Sequence, residues 1–564
     1  MKTTNKQIHR GLMTAGAFVA RRILRLRLPL TLLAGMALVG ASGPKFYKDD
    51  PIAVEPETQD ASKVEMRKID LFYDFVLNQF GHPGKPPGAR AGNINTIDEV
   101  PDSSWFTNRI LARPMSIDEA VRGPLTGEGP ASGVLTVIRA KSDGAAPGFT
   151  VRDSKGVVWF VAFDPKINPQ AASAAAVVAN KIFYALGYHQ AEYYISVLRR
   201  DQLQIDKEAK FSPVSGKLRP MQLKDIDPVL ERGAKNADGS CRILASKLLP
   251  GKVVGGFKYE GTRPDDPNDL VPHEQRRELR AIQVFGAWTN LVDIKALNTM
   301  DTVITENGRT RVRHYLLDIG SAFGIGANGP HDYFEGFENV VDREHSKKRL
   351  ISMGFYIQPW QTAEYEKNDS IGRFTADNFD PPAWKSRIPA AALLQAREDD
   401  TFWAARRVMA FSDEMIRALV KTGKYSDPAA EKLLGNVLIE RRDKIGKAYL
   451  AKVNPVVNAA LSNAGELSFE NAAVKAGVAQ DARLYKVAWF KLDNSTGATT
   501  PLGETESTNW KVKAPSGLPS SAGAYVCADI KAVAGAHESW GKPVRVSFAR
   551  QAAGWKLVGL ERMP

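Results

Sequence analysis

Thr289–Gly324 reads TNLVDIKALNTMDTVITENGRTRVRHYLLDIGSAFG, and its middle is a β-hairpin. Thr302-Val-Ile-Thr305 is β-branched, Asn307-Gly308 is the dipeptide preferred in a two-residue type I′ turn, and Val312–Leu317 is the return strand. A hairpin returns the chain to the end from which it left. The polar loop Asp293-Ile-Lys295-Ala-Leu-Asn298 and the acidic turn Asp318-Ile-Gly320 therefore open at the same end of a small sheet. One Asp can orient or deprotonate an attacking hydroxyl, while an Asn and a second Asp offer hard oxygen ligands to Mg²⁺ bridging nucleotide phosphates. Asp293 and Lys295 are the candidate catalytic residues, Lys295 as the charge neutraliser, and Asn298 and Asp318 are the candidate metal ligands.

D-x-K-x-x-N, a hairpin, then Leu-Leu-Asp-Ile-Gly resembles the catalytic and metal-binding loops of the protein-kinase-like superfamily. The wording LLDIGSAFG is closer to the atypical branch, the HipA-type and phosphoinositide kinases, than to ordinary protein kinases. The resemblance covers residues 131–460 and is specific around 289–324. It implies an α+β, bilobal kinase-like fold with a β-rich N-lobe at 131–250 and an α-rich C-lobe at 251–465. ATP and Mg²⁺ would be the cofactors, and the acceptor an unidentified protein or small molecule.

Composition narrows the classes. With 564 residues the chain exceeds one ordinary domain, and 43% hydrophobic and 25% charged residues describe a globular protein. The formal charge of +13 is concentrated at the start: residues 1–41 hold seven basic side chains and no acidic one, leaving +6 for the remainder. That surplus gives no reason to expect nucleic acid as a partner. Residues 1–41 read as an export signal, with a basic n-region ending Arg21-Arg22-Ile-Leu-Arg25-Leu-Arg27, an apolar Leu28–Ala41 run and a small-residue cleavage site at Val39-Gly40-Ala41. Arg21-Arg22 admits twin-arginine as well as Sec export. The expected location is periplasm or cell envelope, with membrane contact only through this segment if it stays uncleaved. Cys241 and Cys527 read as free thiols in separate domains.

Residues 42–130 form an N-terminal extension, with a helix expected over Ser62–Phe80 and Trp105-Phe106 as packing anchors. Asp98, Glu99 and Asp102 read as turn and capping residues. Three strands follow, Val134–Arg139, Phe149–Arg152 and Val157–Phe163. The loop between the first two, through Ser142, Gly144 and Gly148, would cover phosphates in a kinase-like N-lobe and is equally a hairpin loop with no ligand. Pro169–Leu186 reads as a helix, Tyr193–Leu198 as a strand, Leu223–Ala234 as a helix and Cys241–Leu249 as a hinge strand. Lys258 and Arg263 lie in an insertion-like loop within reach of a phosphate. His273–Asn290, Asp400–Thr422 and Pro428–Lys452 read as C-lobe helices, and 466–564 as a small all-β domain whose tryptophans fill its core.

The resemblance breaks in the N-lobe. Kinases seat a phosphate-holding Lys on the third strand and pin it with a Glu on the next helix. Here those places hold Ala162 and, near Ala176, an Ala-Ala-Ala-Val-Val run, while Leu291 stands where a His often precedes the catalytic Asp. Lys155 and Lys166 flank the strand as substitutes, so Lys166 joins Ser142, Gly144 and Gly148 as a candidate nucleotide contact. Losing both halves of the pair avoids stranding a buried charge. Two readings follow: an exported ATP/Mg-dependent phosphotransferase with a rearranged phosphate-holding Lys, or a catalytically silent pseudokinase acting as an envelope scaffold.

Overall fold

Seven strands make the larger sheet, and the first three are those expected from the sequence. They are β1 (Leu135–Lys141), β2 (Gly148–Arg152), β3 (Val158–Phe163), β4 (Tyr193–Leu198), β5 (Leu203–Ser212), β6 (Arg219–Pro220) and β7 (Cys241–Lys247), in the order β4-β7-β3-β2-β1-β5-β6. This computed structural model describes residues 43–81, 88–141, 147–213, 217–533 and 537–562. β5 runs parallel to β1 and the other pairs are antiparallel. Between β3 and β4 lies helix α1 (Ala171–Leu186), whose alanines pack on almost every side. Asp164 caps its first turn, accepting the Ser173 N–H and hydroxyl at 2.7 Å each.

A second sheet joins β8 (Lys252–Gly255) to the hairpin β9 (Thr299–Glu306) and β10 (Arg309–Leu316). Its turn takes φ +50° at Asn307 and +74° at Gly308, the left-handed pair that a type I′ turn needs. Among the described residues the other helices of eight residues or more are α2 (Ile282–Thr289), α3 (Arg343–Ile351), α4 (Glu398–Met409), α5 (Asp413–Lys421) and α6 (Pro428–Tyr449). α2 is anchored from α6: the Leu438 carbonyl accepts Trp288 Nε1–H at 2.9 Å, and Arg441 donates to the carbonyls of Ala287 and Trp288. No helix among the described residues is long and apolar enough to cross a membrane. Both cysteines are free and buried.

Several expected elements are shorter or broken, each for a tertiary reason. The Ser62–Phe80 helix starts only at Leu71, capped by Asp70, because the preceding residues run alongside β8, with Arg67 N–H on the Val254 carbonyl at 3.0 Å. The Leu223–Ala234 helix reduces to a 3₁₀ turn and Ile226–Leu230, since the chain turns so that Gly233 can pair with Pro165. Asp400–Thr422 divides at Ser412, whose side chain caps α5. His273–Asn290 is two short turns followed by α2, opened by a cluster of buried arginines. Arg263 belongs to that buried ionic system, paired with Asp301 at 3.1 Å, and so is not available to a phosphate.

After a two-stranded ribbon, β11 (Ile325–Gly326) and β12 (Gly329–Pro330), the C-terminal strands form a three-stranded sheet, β13 (Val456–Leu461), β14 (Glu466–Asn471) and β17 (Lys511–Lys513), and a five-stranded one, β16 (Thr499–Ser507), β15 (Leu484–Leu492), β18 (Tyr525–Val533), β19 (Val544–Gln551) and β20 (Gly554–Arg562). β13 pairs with β14, so this sheet begins ten residues ahead of residue 466. A four-residue helix, Ala472–Lys475, interrupts the strands. Trp489 and Trp540 are fully buried in the core.

Candidate active site

Backbone geometry brings the two expected loops together. α2 ends at Asn290 in the left-handed conformation, φ +51°, and releases the chain into Leu291–Asn298. After β10 the chain passes through Asp318, φ +48°, a conformation that Asp tolerates better than most residues. Three bonds tie the loops: Leu317 N–H to the Asn298 carbonyl (2.9 Å), Val292 N–H to that of Ser321 (3.4 Å) and Phe323 N–H to that of Thr289 (2.8 Å). Asp293, Lys295 and Asp318 consequently line one cavity of about 460 Å³. Its opposite wall comes from the seven-stranded sheet and α1, including Ala162, Leu244, Ser173 and Ala176.

The alanine face of α1 has a packing consequence. A Cβ built on Gly320 would lie 3.2 Å from Ala176 Cβ, so the Asp-Ile-Gly turn rests directly on the helix. A Glu at 176 would displace it.

Asp293 is the electrostatic centre. Lys295 Nζ stands 2.8 Å from its Oδ2, Asn298 Nδ2 donates to that same oxygen at 3.1 Å and to the Asp293 carbonyl at 2.8 Å, and an Arg387 guanidinium nitrogen is 3.4 Å from Oδ1. Arg387 is delivered by its own N–H, bonded to the Val292 carbonyl at 2.8 Å. Its guanidinium also forms a two-pronged bond to Glu335, at 2.8 and 3.0 Å. Burial works against charge on Arg387, but Glu335 and Asp293 outweigh it and hold the guanidinium more firmly protonated than usual. Beside Glu335 sits His331, whose Nε2 meets the Ser321 hydroxyl at 2.9 Å. Burial, reinforced by Arg387, pushes His331 down to about 3, so it is a neutral imidazole at neutral pH.

No family model matches the sequence, and no curated protein matches it. Solved structures to which it is similar include a Helicobacter pylori proinflammatory kinase, CtkA, at 13% identity and a TM-score of 0.28, covering 58% of this chain and 93% of that one. The Golgi casein kinase with Mn/ADP bound is 11% identical with a TM-score of 0.29, over 59% of this chain and 74% of that one. A second structure of the Golgi casein kinase is 10% identical with a TM-score of 0.26, over 61% and 78%.

Not every expected contact reaches the cleft. Asn298 is buried and holds Asp293 instead of lining the cavity. Gly148 is the first residue of β2, paired with Ala162, and a Cβ there would come within 2.2 Å of the Val161 carbonyl oxygen. Its lack of a side chain therefore serves strand packing, and it does not line the cavity. Lys166 is exposed on the turn between β3 and α1, outside the cavity lining, which corrects its expected place as the substitute phosphate contact. Ser142 and Gly144 lie outside the described residues. Conversely, Ser321, His331, Glu335 and Arg387 line the cleft without having been singled out from the sequence. Ser321 directly follows Asp-Ile-Gly and was within reach of motif reading; the other three stand 11 to 67 residues beyond Gly320 in chain order, with no periodic signal.

Proposed function

We propose that this chain is a two-lobed, kinase-like phosphotransferase that binds ATP in the cleft between the seven-stranded sheet and the helices. The observation that carries the reading is the convergence of Asp293, Lys295 and Asp318 on one cavity. Support comes also from the order along the chain, three strands, helix α1, strand β4 and then the expected hinge strand β7, which is the N-lobe order that the resemblance implies.

Asp293 takes the proton of an acceptor hydroxyl as its oxygen attacks the γ-phosphorus; the bond to the bridging oxygen breaks and ADP leaves. Lys295 and Arg387 spread positive charge over the transferring group, compensating for the missing strand lysine. The donor set fits a hard divalent cation: Asp318 and Asp293 both line the cavity, and both are oxygen donors. Mg²⁺ is an ion commonly held by one or two carboxylates plus substrate phosphates. Such an ion would neutralise phosphate charge. Asn298 keeps Asp293 oriented, and the Ala162 wall leaves space for the nucleotide.

A thermal melt reports on this directly. Millimolar Mg-ATP should raise Tm by several degrees in the wild type and leave Asp318→Ala unmoved; an unshifted wild type ends the nucleotide reading. A second reading, a silent scaffold, is favoured by one observation: Ala162 and Ala176, at or near the places where the resemblance would seat the Lys–Glu pair, put uncharged side chains in the cleft wall. Transfer of ³²P to a mixed protein or small-molecule acceptor pool, lost in Asp293→Ala, separates the two. Export rests on the basic-then-apolar start of the chain, and protease protection of intact cells and spheroplasts tests it.

A further inference from the structure

We propose that the turn after α3 is a bilayer-inserting element that seats the protein on a membrane containing anionic lipid, independently of any chemistry in the cleft. Residues 343–357 read REHSKKRLISMGFYI. Leu350, Ile351, Met353, Phe355 and Ile357 are all exposed, Met353 to 89% and Phe355 to 86%. The backbone accounts for this. α3 closes with Gly354 N–H on the Arg349 carbonyl at 2.9 Å, Met353 at φ +52° and Gly354 at φ +89°, so the chain reverses and carries successive apolar side chains away from the core.

The helix leading to this apolar tip is basic. Arg343, Lys347, Lys348 and Arg349 occupy it against one acid, Glu344, which is paired with Lys348 at 2.7 Å. Arg349 reaches back to the buried Glu338 at 2.8 Å, while Lys347 and Arg343 stay exposed. Next to it the Leu71–Gly81 segment is attached through Gln79 Nε2 on the Val341 carbonyl (2.7 Å) and Arg343 over the Phe80 ring (5.9 Å), and Phe72 there is 78% exposed.

Shape and charge choose the occupant. Side chains almost nine-tenths exposed cannot line a groove, so the feature projects where a peptide-docking site would be concave. An apolar projection with a cationic collar matches the boundary between acyl chains and anionic headgroups, where apolar burial and charge attraction add.

The native thiols are buried, so a polarity-sensitive dye on the full-length Met353→Cys variant reports from the tip alone. With vesicles of equal phosphatidylglycerol and phosphatidylcholine carrying acyl-chain nitroxides, the dye should shift to the blue and be quenched several-fold. Pure phosphatidylcholine vesicles, or the added changes Arg343→Glu and Lys347→Glu, should remove most of that response, and a dye on Ser495→Cys should show none. A tip dye that stays in water, whether or not the chain sediments with vesicles, overturns the proposal. So does shielding of the dye that rises with protein concentration in the absence of lipid, which would assign the turn to contact between copies.

Discussion

At Asp293 a single carboxylate faces two cations, and at Arg387 a single cation faces two carboxylates, Asp293 and Glu335. The chain of charges is balanced only while every member is present. Glu335 is almost completely buried, so Arg387→Gln leaves a carboxylate with its strongest partner gone and should cost about 1–3 kcal/mol in urea denaturation. Adding Glu335→Gln should recover most of the loss, a coupling that a double-mutant cycle measures. His331 gives the same network a pH signature. Its folded pKa of about 3 lies below the unfolded value near 6.5, so between them the unfolded chain binds more protons and stability must fall as pH is lowered. The slope from this one group is about 1.4 kcal/mol per pH unit at most. In His331→Gln the decline in stability from pH 6.5 towards 3 should be shallower, read by denaturant midpoints at half-unit steps.

Among the elements, what the sequence discloses and what it hides divide on range. The β9–β10 turn is legible to the residue because it is chemically specified, Asn307-Gly308 supplying the two positive φ angles locally, whereas both strands start three residues earlier than their β-branched pattern shows. β2, β3, β4 and α1 are likewise short local segments: β3 alternates in burial, and α1, buried on almost every side, is marked by its alanine run and the closing Gly187. β5 was not legible, since its parallel pairing with β1 is made across more than sixty residues and its exposed Lys and Glu side chains blur the alternation. The His273–Asn290 stretch, expected as one helix, hides a feature of the same long range: Arg276, Arg277 and Arg280 are buried against Glu55, Asp98, Asp399 and Asp400, partners far away in the sequence. Gly148 reads equally as a phosphate-covering residue and as part of a ligand-free hairpin loop, and its steric constraint against β3 supports the second. Gly148→Ala should therefore destabilise by about 1–3 kcal/mol through its clash with the Val161 carbonyl. It should do so equally with and without Mg-ATP, an equality that a nucleotide-contact role would break.

The whole molecule is held together by its earliest described segment, a role that composition did not announce. Residues 43–110 pack Phe46 against Gly559 and exchange bonds with Asn494, lay the Asp50 carbonyl on Lys556, and place the Thr96 carbonyl on Leu560 N–H at 2.8 Å. The same segment inserts Trp105 and Phe106 into the centre, Phe106 against Gly187 at the end of α1. Asp98 joins both ends of the chain: burial would raise its carboxyl, but Arg277, Arg562 and Arg90 draw it down to about 2. Its contribution is thus present above the unfolded pKa near 3.8 and lost as pH falls through 2. One hydrophobic cluster also runs unbroken from α1 and α2 through α6 into β13, β15 and β18. The strand-rich C-terminal unit shares its larger core with the helices, and the smaller cluster it keeps apart, Leu492, Cys527, Ala549 and Val558, is completed by Phe46 from the N-terminal segment. Calorimetry should accordingly give one unfolding transition for the helices and the C-terminal sheets together, and Asp98→Ala, by leaving Arg277 short of a partner in the interior, should lower it as a whole by roughly 3–5 kcal/mol. Two separated transitions, with only the later one insensitive to Asp98→Ala, would mean that the strap closes over two units that fold alone.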